Sequence, residues 1–303
     1  MSTEKERIER LLELASVGDI DGVRRLIGTH GTDAPGGIGG AGGAGVVGGG
    51  IPGQALIIAS VRGHKPIVEL LIDHGVNVDH RCEKGDTPLI EAAARGHAHL
   101  IHCLQQRGAA LDAANQRGMT PLIAAASNGH AQALEILIDL GADTELRDVS
   151  GNNALMLAAN EGHLRCVRAL VEGGSLIDAP NMHGLTALMF AVLESRGDVV
   201  RYLLDLGADI EARDGFKCLG WKVIDHAISI GNPGVMAALF ERGADPNGLM
   251  PNGKTYDMEL LDKPECLAVL QAARNRRAIM ETLRRHGPMD SQSVDGARPR
   301  SAC

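Results

Sequence analysis

The sequence repeats itself every 33 residues, and no other feature constrains its fold as strongly. Gly63, Gly96, Gly129 and Gly162 recur at that interval, and so do Gly75, Gly108, Gly141, Gly174 and Gly207. The apolar positions keep the same beat in three columns: Leu56, Leu89, Leu122, Leu155 and Leu188; Ala59, Ala92, Ala125, Ala158 and Ala191; Leu71, Leu104, Leu137, Leu170 and Leu203. Units this short cannot each enclose a core, so every unit must bury its apolar face on its neighbours.

Within one unit the residues predict helix, turn, helix, loop. Thr87 is placed to cap a helix N-terminus, Pro88 occupies the first helical position where its missing N–H costs nothing, and Leu89, Ala92 and Ala93 share a face. Gly96 ends that helix. A second helix from about Ala98 to Gln106 carries Ile101 and Leu104, and Gly108 closes it in the left-handed conformation. A lone pair of such helices cannot repay its nucleation cost, which again demands stacking.

The composition fits this reading. With 44% apolar and 22% charged residues the chain has a globular balance, yet it holds only three Phe, two Tyr and one Trp in 303 residues. The interior must therefore be built from Ala, Leu, Ile and Val in thin layers of closely approaching helices. A formal charge of −8 disfavours a general nucleic-acid or anionic-membrane binder, which needs surplus Lys and Arg. No apolar run reaches the length of a bilayer span, and MSTEKERIER lacks the apolar stretch of a secretory signal. Cysteines at 82, 103, 166, 218, 266 and 303 form no CxxC pair and suit reduced thiols. The expectation is a cytoplasmic protein, with a nuclear location left open, not inserted in a membrane.

The segments TPLIEAAARGH (Thr87 to His97), TPLIAAASNGH (Thr120 to His130), LMLAANEGH (Leu155 to His163) and LGAD (Leu140 to Asp143) resemble ankyrin repeats, whose period and TPLHxA signature they match closely. The resemblance covers roughly residues 1–287 and implies an all-α solenoid of stacked helix-turn-helix units with projecting finger loops and terminal caps. Read this way, 1–30 form N-terminal capping helices, 31–53 a Gly-rich flexible loop, 54–247 six repeats, 248–287 a last repeat and cap, and 288–303 a disordered tail.

Several features depart from the family. The His that follows Pro-Leu in typical members, where it helps bridge neighbouring loops, is replaced by Ile57, Ile90, Ile123, Met156, Met189, Asp225 and Met258; this leaves the stiffness of the loops open but not the stacking. Ser195 stands in the inter-helix glycine slot, with Gly197 two positions beyond, so the turn there is expected to differ in shape. The finger at 214–222 is three residues longer than its neighbours, and the tract 31–53 enlarges the first finger by eleven. That tract holds GxGxxG at Gly37, Gly39 and Gly42, but without a preceding strand or a following GK[ST] it reads as a low-complexity loop and not a phosphate cradle.

His64, His97, His130 and His163 form a ladder at the repeat spacing. Stacked helices sit about 10 Å apart, too far for adjacent rings to share one zinc, so the ladder reads as structural, hydrogen-bonded near the start of each second helix. His97, His99, His102 and Cys103 cluster more densely, but no carboxylate or distant cysteine is evidently aimed at them. No GxSxG, HExxH or catalytic loop occurs. The reading is of no enzyme, no catalytic residue, no metal and no cofactor. Arg274, Arg276, Arg277, Arg284 and Arg285 read as a solvated cap near a helix C-terminus in preference to a nuclear-import signal or a patch for an acidic partner.

The resemblance implies a protein partner bound through a groove and the finger tips. The two positions before the inter-helix glycine are the groove candidates, and the second of each pair reads Arg62, Arg95, Asn128, Glu161 and Glu194, with Asn160 beside Glu161. This charge gradient would orient an extended partner with its acidic half near Arg62 and Arg95. Finger-tip candidates are Glu83, Lys84, Gln116, Arg117, Met119, Val149, Asn152, Met182, His183 and Leu185. The longer finger adds Phe216, Leu219 and Trp221, either as an exposed aromatic anchor or, for Trp221, as a cover folded over the core. The expected form is a monomeric scaffold. Alternatives are an inhibitor that occludes an enzyme, or a sensor holding a phosphorylated or nucleotide-like ligand against Arg62, Arg95 and Arg117.

Overall fold

The computed structural model describes residues 2–28, 50–215 and 220–286. Among them sixteen helices follow in pairs: α1 (Ser2–Val17) and α2 (Ile20–Gly28), α3 (Gly50–Arg62) and α4 (Lys65–Asp73), α5 (Pro88–Ala94) and α6 (Ala98–Gln106), α7 (Pro121–Ser127) and α8 (Ala131–Asp139). Then come α9 (Ala154–Glu161) and α10 (Leu164–Glu172), α11 (Ala187–Leu193) and α12 (Gly197–Asp205), α13 (Val223–Ile230) and α14 (Pro233–Glu241), α15 (Tyr256–Glu259) and α16 (Pro264–His286). The described residues contain no strand, only isolated antiparallel bridges between Arg213 and Lys222 and between Leu249 and Thr255. The chain is an all-α solenoid.

The helices form two layers. Odd-numbered helices from α1 to α15 pack in sequence as an inner layer, and even-numbered helices from α2 to α16 pack as an outer one. The inner layer is the tighter, because Ala59, Ala92, Ala125, Ala158 and Ala191 are all fully buried there and let backbones approach. The inner helices α5, α7, α9 and α11 each start at a side-chain cap: Thr87, Thr120, Asn153 and Thr186 accept from the amides of Ile90, Ile123, Met156 and Met189. The helix α3 begins at Gly50, inside the stretch 31–53 read as loop. Pro52 in its first turn has the fixed φ that a helix start requires. The rest of the glycine tract, with Gly37, Gly39 and Gly42, and the tail 288–303 lie outside the described residues.

The histidine ladder is structural, but its bonds run differently from the expectation. His97 and His130 make no side-chain bond at the start of their own helices. Each ring instead reaches back one repeat to a carbonyl at the end of the preceding inner helix: His64 to Ser16 O at 3.1 Å, His97 to Val61 O at 2.9 Å, His130 to Ala94 O at 3.0 Å. Arg196 Nε and Lys263 Nζ donate in the same way to Asn160 O and Ser229 O. Helix ends leave such carbonyls without intrahelical partners, so these side chains cap α1, α3, α5, α9 and α13 from the next repeat.

The ring also explains the glycine before it. A Cβ at Gly63, Gly96 or Gly129 would fall within 2.9 Å of the ring of His97, His130 or His163 respectively. Where the glycine is missing, at Ser195, the following repeat carries Asn232, which turns inward to cap α14 at the amides of Gly234 and Val235. Contrary to expectation the turn keeps its shape: Ser195 adopts φ 57°, and its neighbours make the hydrogen bonds found around Gly162. A left-handed serine costs about 1 to 2 kcal/mol. Ser195→Gly should therefore raise stability by roughly 0.5 to 1 kcal/mol after the entropy of the freer unfolded chain is deducted. An unchanged or lower midpoint in urea would show that the serine hydroxyl compensates the strain.

The fingers lack the family histidine yet are stitched together. Carboxylates of Asp79, Asp112, Glu145 and Asp178 accept from the amides of Ala110, Asp143, Leu176 and Asp209 in the next repeat. Arg81 and Arg147 each span two fingers through Nη1, donating to Gly85 O and Ala114 O, and to Gly151 O and Pro180 O. In the Asp225 slot the substitution is itself a bridge, since this buried carboxylate accepts from Tyr256 Oη at 2.8 Å and from its own N-cap amide at Lys222.

Candidate partner-binding groove

The stitched fingers and the inner helices form two walls of one groove. Between the second and third fingers it deepens into a cleft of about 470 Å³, with Lys84, Gln116, Arg117 and Met119 from the fingers and Glu91, Ala94 and Asn128 from α5 and the end of α7. Backbone bonds hold the fingers in register: Gln116 N to Lys84 O, Val149 N to Arg117 O and Gly215 N to His183 O. Five of the residues singled out from sequence thus meet in one place. Rigid walls matter physically, because a preorganised surface loses little entropy when it is covered.

Arg62, Arg95, Asn128, Glu161 and Glu194 are all exposed, at the C-terminal ends of α3, α5, α7, α9 and α11. The row therefore runs from basic to acidic along the stack. Val149 and Met182 stand out as apolar finger tips, 64% and 68% exposed, while Leu185 is half-buried between fingers. Glu83 is exposed and its carbonyl accepts from Gln116 Nε2. Asn152 and Asn160 serve the scaffold as well: Asn152 accepts from Asn181 Nδ2 of the next finger, and Asn160 O takes the Arg196 bond.

Phe216 and Leu219 lie outside the described residues. Trp221 is half-buried, packs on the core, and tilts over His226 with ring centroids 5.4 Å apart. Asp214, itself buried, ties this finger by accepting from Trp221 N and pairing with His226 Nε2 at 3.1 Å. Burial lowers the pKa of His226 although Asp214 pulls the other way.

Sequence reasoning missed the floor of the groove. It is a fourth column on the inner helices, Ile58, Glu91, Ala124, Leu157 and Phe190, set between the leucine and alanine columns. Its signal was available: it varies from charged to aromatic inside an otherwise fixed unit. Glu91 is half-buried, and burial, then Asp86, raises its carboxyl pKa against the opposing pull of Arg95 and Lys84. Leu157 and Phe190 are partly exposed and give the adjoining stretch an apolar floor beside Glu161 and Glu194.

Cys103 and Cys166 are buried in the outer layer, and burial pushes the Cys166 thiol up to about 11, opposite to the shift that activates a nucleophile. His99 bonds Gly63 O and Cys103 bonds Glu69, and the described residues hold no group of three side chains placed to bind a metal. No helix among them is long and apolar enough to cross a membrane.

The family described as "Ankyrin repeats (3 copies)" matches in four overlapping stretches, 11–112, 56–148, 94–179 and 140–214. The chain belongs to the ankyrin-repeat family. Among solved structures it is similar to the crystal structure of the human ASB11 ankyrin repeat domain, with 27% identity and a TM-score of 0.63 over 71% of this chain and 96% of that one. No curated protein matches it in sequence. Ankyrin repeats are general protein-interaction modules, and 558 solved chains match this one, so the fold is too widely shared to specify a partner.

Proposed function

We propose that this ankyrin-repeat protein is a non-enzymatic binding module, a monomeric cytoplasmic scaffold or inhibitor, that grips one partner protein along the groove between its fingers and inner helices. The cleft between the second and third fingers carries this reading, because it gathers charged and apolar groups on two rigid walls without a catalytic arrangement. The groove has two unlike halves. Arg62, Arg95, Lys84 and Arg117 suit an acidic segment, while Leu157 and Phe190 beside Glu161 and Glu194 suit an apolar and basic one. A phosphorylated small ligand fits less well, because Asp86 and Glu91 share the cleft with Lys84 and Arg117 and offset their field.

The test is charge and shape reversal in the second half. Phe190→Asp with Glu161→Lys and Glu194→Lys should weaken capture of the partner from lysate by roughly tenfold or more and flatten its salt dependence. Arg165→Glu on the outer layer should leave it unchanged. Equal loss in both variants, or in neither, sinks the groove reading. A rise in melting temperature with inorganic pyrophosphate or ATP alone would favour the small-ligand sensor instead.

A further inference from the structure

The last helix overruns the stack. Cys266 and Leu270 bury one face of α16, Arg274 makes two bonds of 2.7 Å to the Asp257 carboxylate, and Arg277 reaches Asp245. Arg274 is half-buried in its pair with Asp257, while Arg276 and Arg277 stay exposed as they pair with Glu241 and Asp245, in keeping with a solvated cap. Beyond Arg277 the helix continues while every residue from Ala278 to Arg285 is exposed. At 1.5 Å per residue this overhang is about 12 Å long.

The overhang is amphipathic, and no described residue covers its apolar side. Ile279 and Leu283, four residues apart, form one row, and Met280 lies beside them; they are 60%, 62% and 50% exposed. Arg276 and Arg284 bracket Met280 at four-residue spacing, and Arg285 follows. Arg284 and Arg285 make no ion pair among the described residues, and Glu281, already engaged by Arg277, is the segment's one acid. A second copy of the same segment would bring arginine against arginine. An anionic bilayer would gain only three apolar side chains while drawing a chain of net charge −8 to its surface.

We propose that the overhang of α16 is a docking helix for a second protein, one whose helix-binding groove is lined by apolar side chains and rimmed by carboxylates. Ile279, Met280 and Leu283 enter the groove, and Arg276 and Arg284, one turn either side of Met280, meet its rim. The surface is separate from the groove of the proposed function, so two partners can be held at once.

Calcium-loaded calmodulin is the probe, since its grooves have this chemistry. The full chain should bind it one to one in calcium and not in EGTA. Ile279→Asp with Leu283→Asp should weaken binding by about tenfold or more, with Arg284→Glu and Arg285→Glu reducing its salt dependence, while thermal unfolding of the repeats stays unchanged. The groove variant Phe190→Asp should bind the probe normally. Absence of calcium-dependent binding overturns the proposal, as does binding that survives the paired Asp variant. Co-sedimentation with phosphatidylserine vesicles in place of calmodulin, or self-association lost in that variant, overturns it in favour of a membrane or a second copy.

Discussion

Gly96→Ala is expected to destabilise the stack by about 2 to 4 kcal/mol, far beyond the cost of an ordinary surface glycine. Two effects add. Gly96 sits at φ +72°, where an alanine loses about 1 to 2 kcal/mol, partly offset by a less free unfolded chain. Its Cβ would also stand 2.6 Å from Nδ1 of the His130 ring, which must then move and release Ala94 O. Gly108→Ala is the control: φ is +87° but nothing lies within 4 Å of its Cβ, so only the backbone cost of about 1 kcal/mol remains. Chemical denaturation of Gly96→Ala, His130→Ala and the double variant forms a cycle. A coupling of about 1 kcal/mol or more, with the double variant better than the sum, is expected for groups in contact. Strict additivity would mean that the ring and the glycine do not compete for space.

Asp225→Ala should cost about 2 to 4 kcal/mol and should detach the C-terminal end first. The carboxylate is 2% exposed and accepts from Tyr256 Oη and from the Lys222 amide, so its loss strands a buried hydroxyl and removes the cap of α13. Tyr256, also 2% exposed, has its pKa raised well above the ordinary phenol value by burial and by Asp225, and therefore donates throughout the working pH range. Tyr256→Phe removes the donor alone and should cost about 1.5 to 3 kcal/mol, the usual value of a hydrogen bond to a charged group. In a one-dimensional stack such losses stay local, so hydrogen exchange should accelerate in α13 to α16 before it does in α5 to α10. Uniform acceleration along the chain would contradict this.

The sequence was most informative where every repeat uses a residue for the same local purpose. The caps at Thr87 and Thr120, the helix from Ala98 to Gln106, and the buried alanine column follow from capping chemistry, helical spacing and side-chain size alone. Half of the site was legible as well: Lys84, Gln116, Arg117, Met119 and Asn128 come from finger and groove positions recognisable by their register, and they do share a cleft. The floor residues Glu91, Leu157 and Phe190 escaped notice because a helix face that is neither fixed nor fully polar looks like core until the fingers are seen to leave it open. Ser195 was misjudged for a related reason. A missing glycine suggests an altered turn, but neighbouring repeats can hold a serine in the left-handed region once its contacts are fixed.

By itself, the sequence determined the period, the pairing of helices and hence the solenoid, because these rest on interactions within about a dozen residues. The two glycine series look equivalent in it. Only the tertiary structure separates them: Gly108, Gly141, Gly174 and Gly207 need a backbone conformation, whereas Gly63, Gly96 and Gly129 need that conformation and an empty volume for the imidazole of the next repeat, and Gly162 one for Arg196. Likewise it alone shows that His97 and His130 cap the helix before them and that Asp225 replaces a loop bridge with one to Tyr256. The physical reason is distance along the chain. Each of these partners stands about one repeat away, and a residue's local pattern carries no record of what stacking will bring against it.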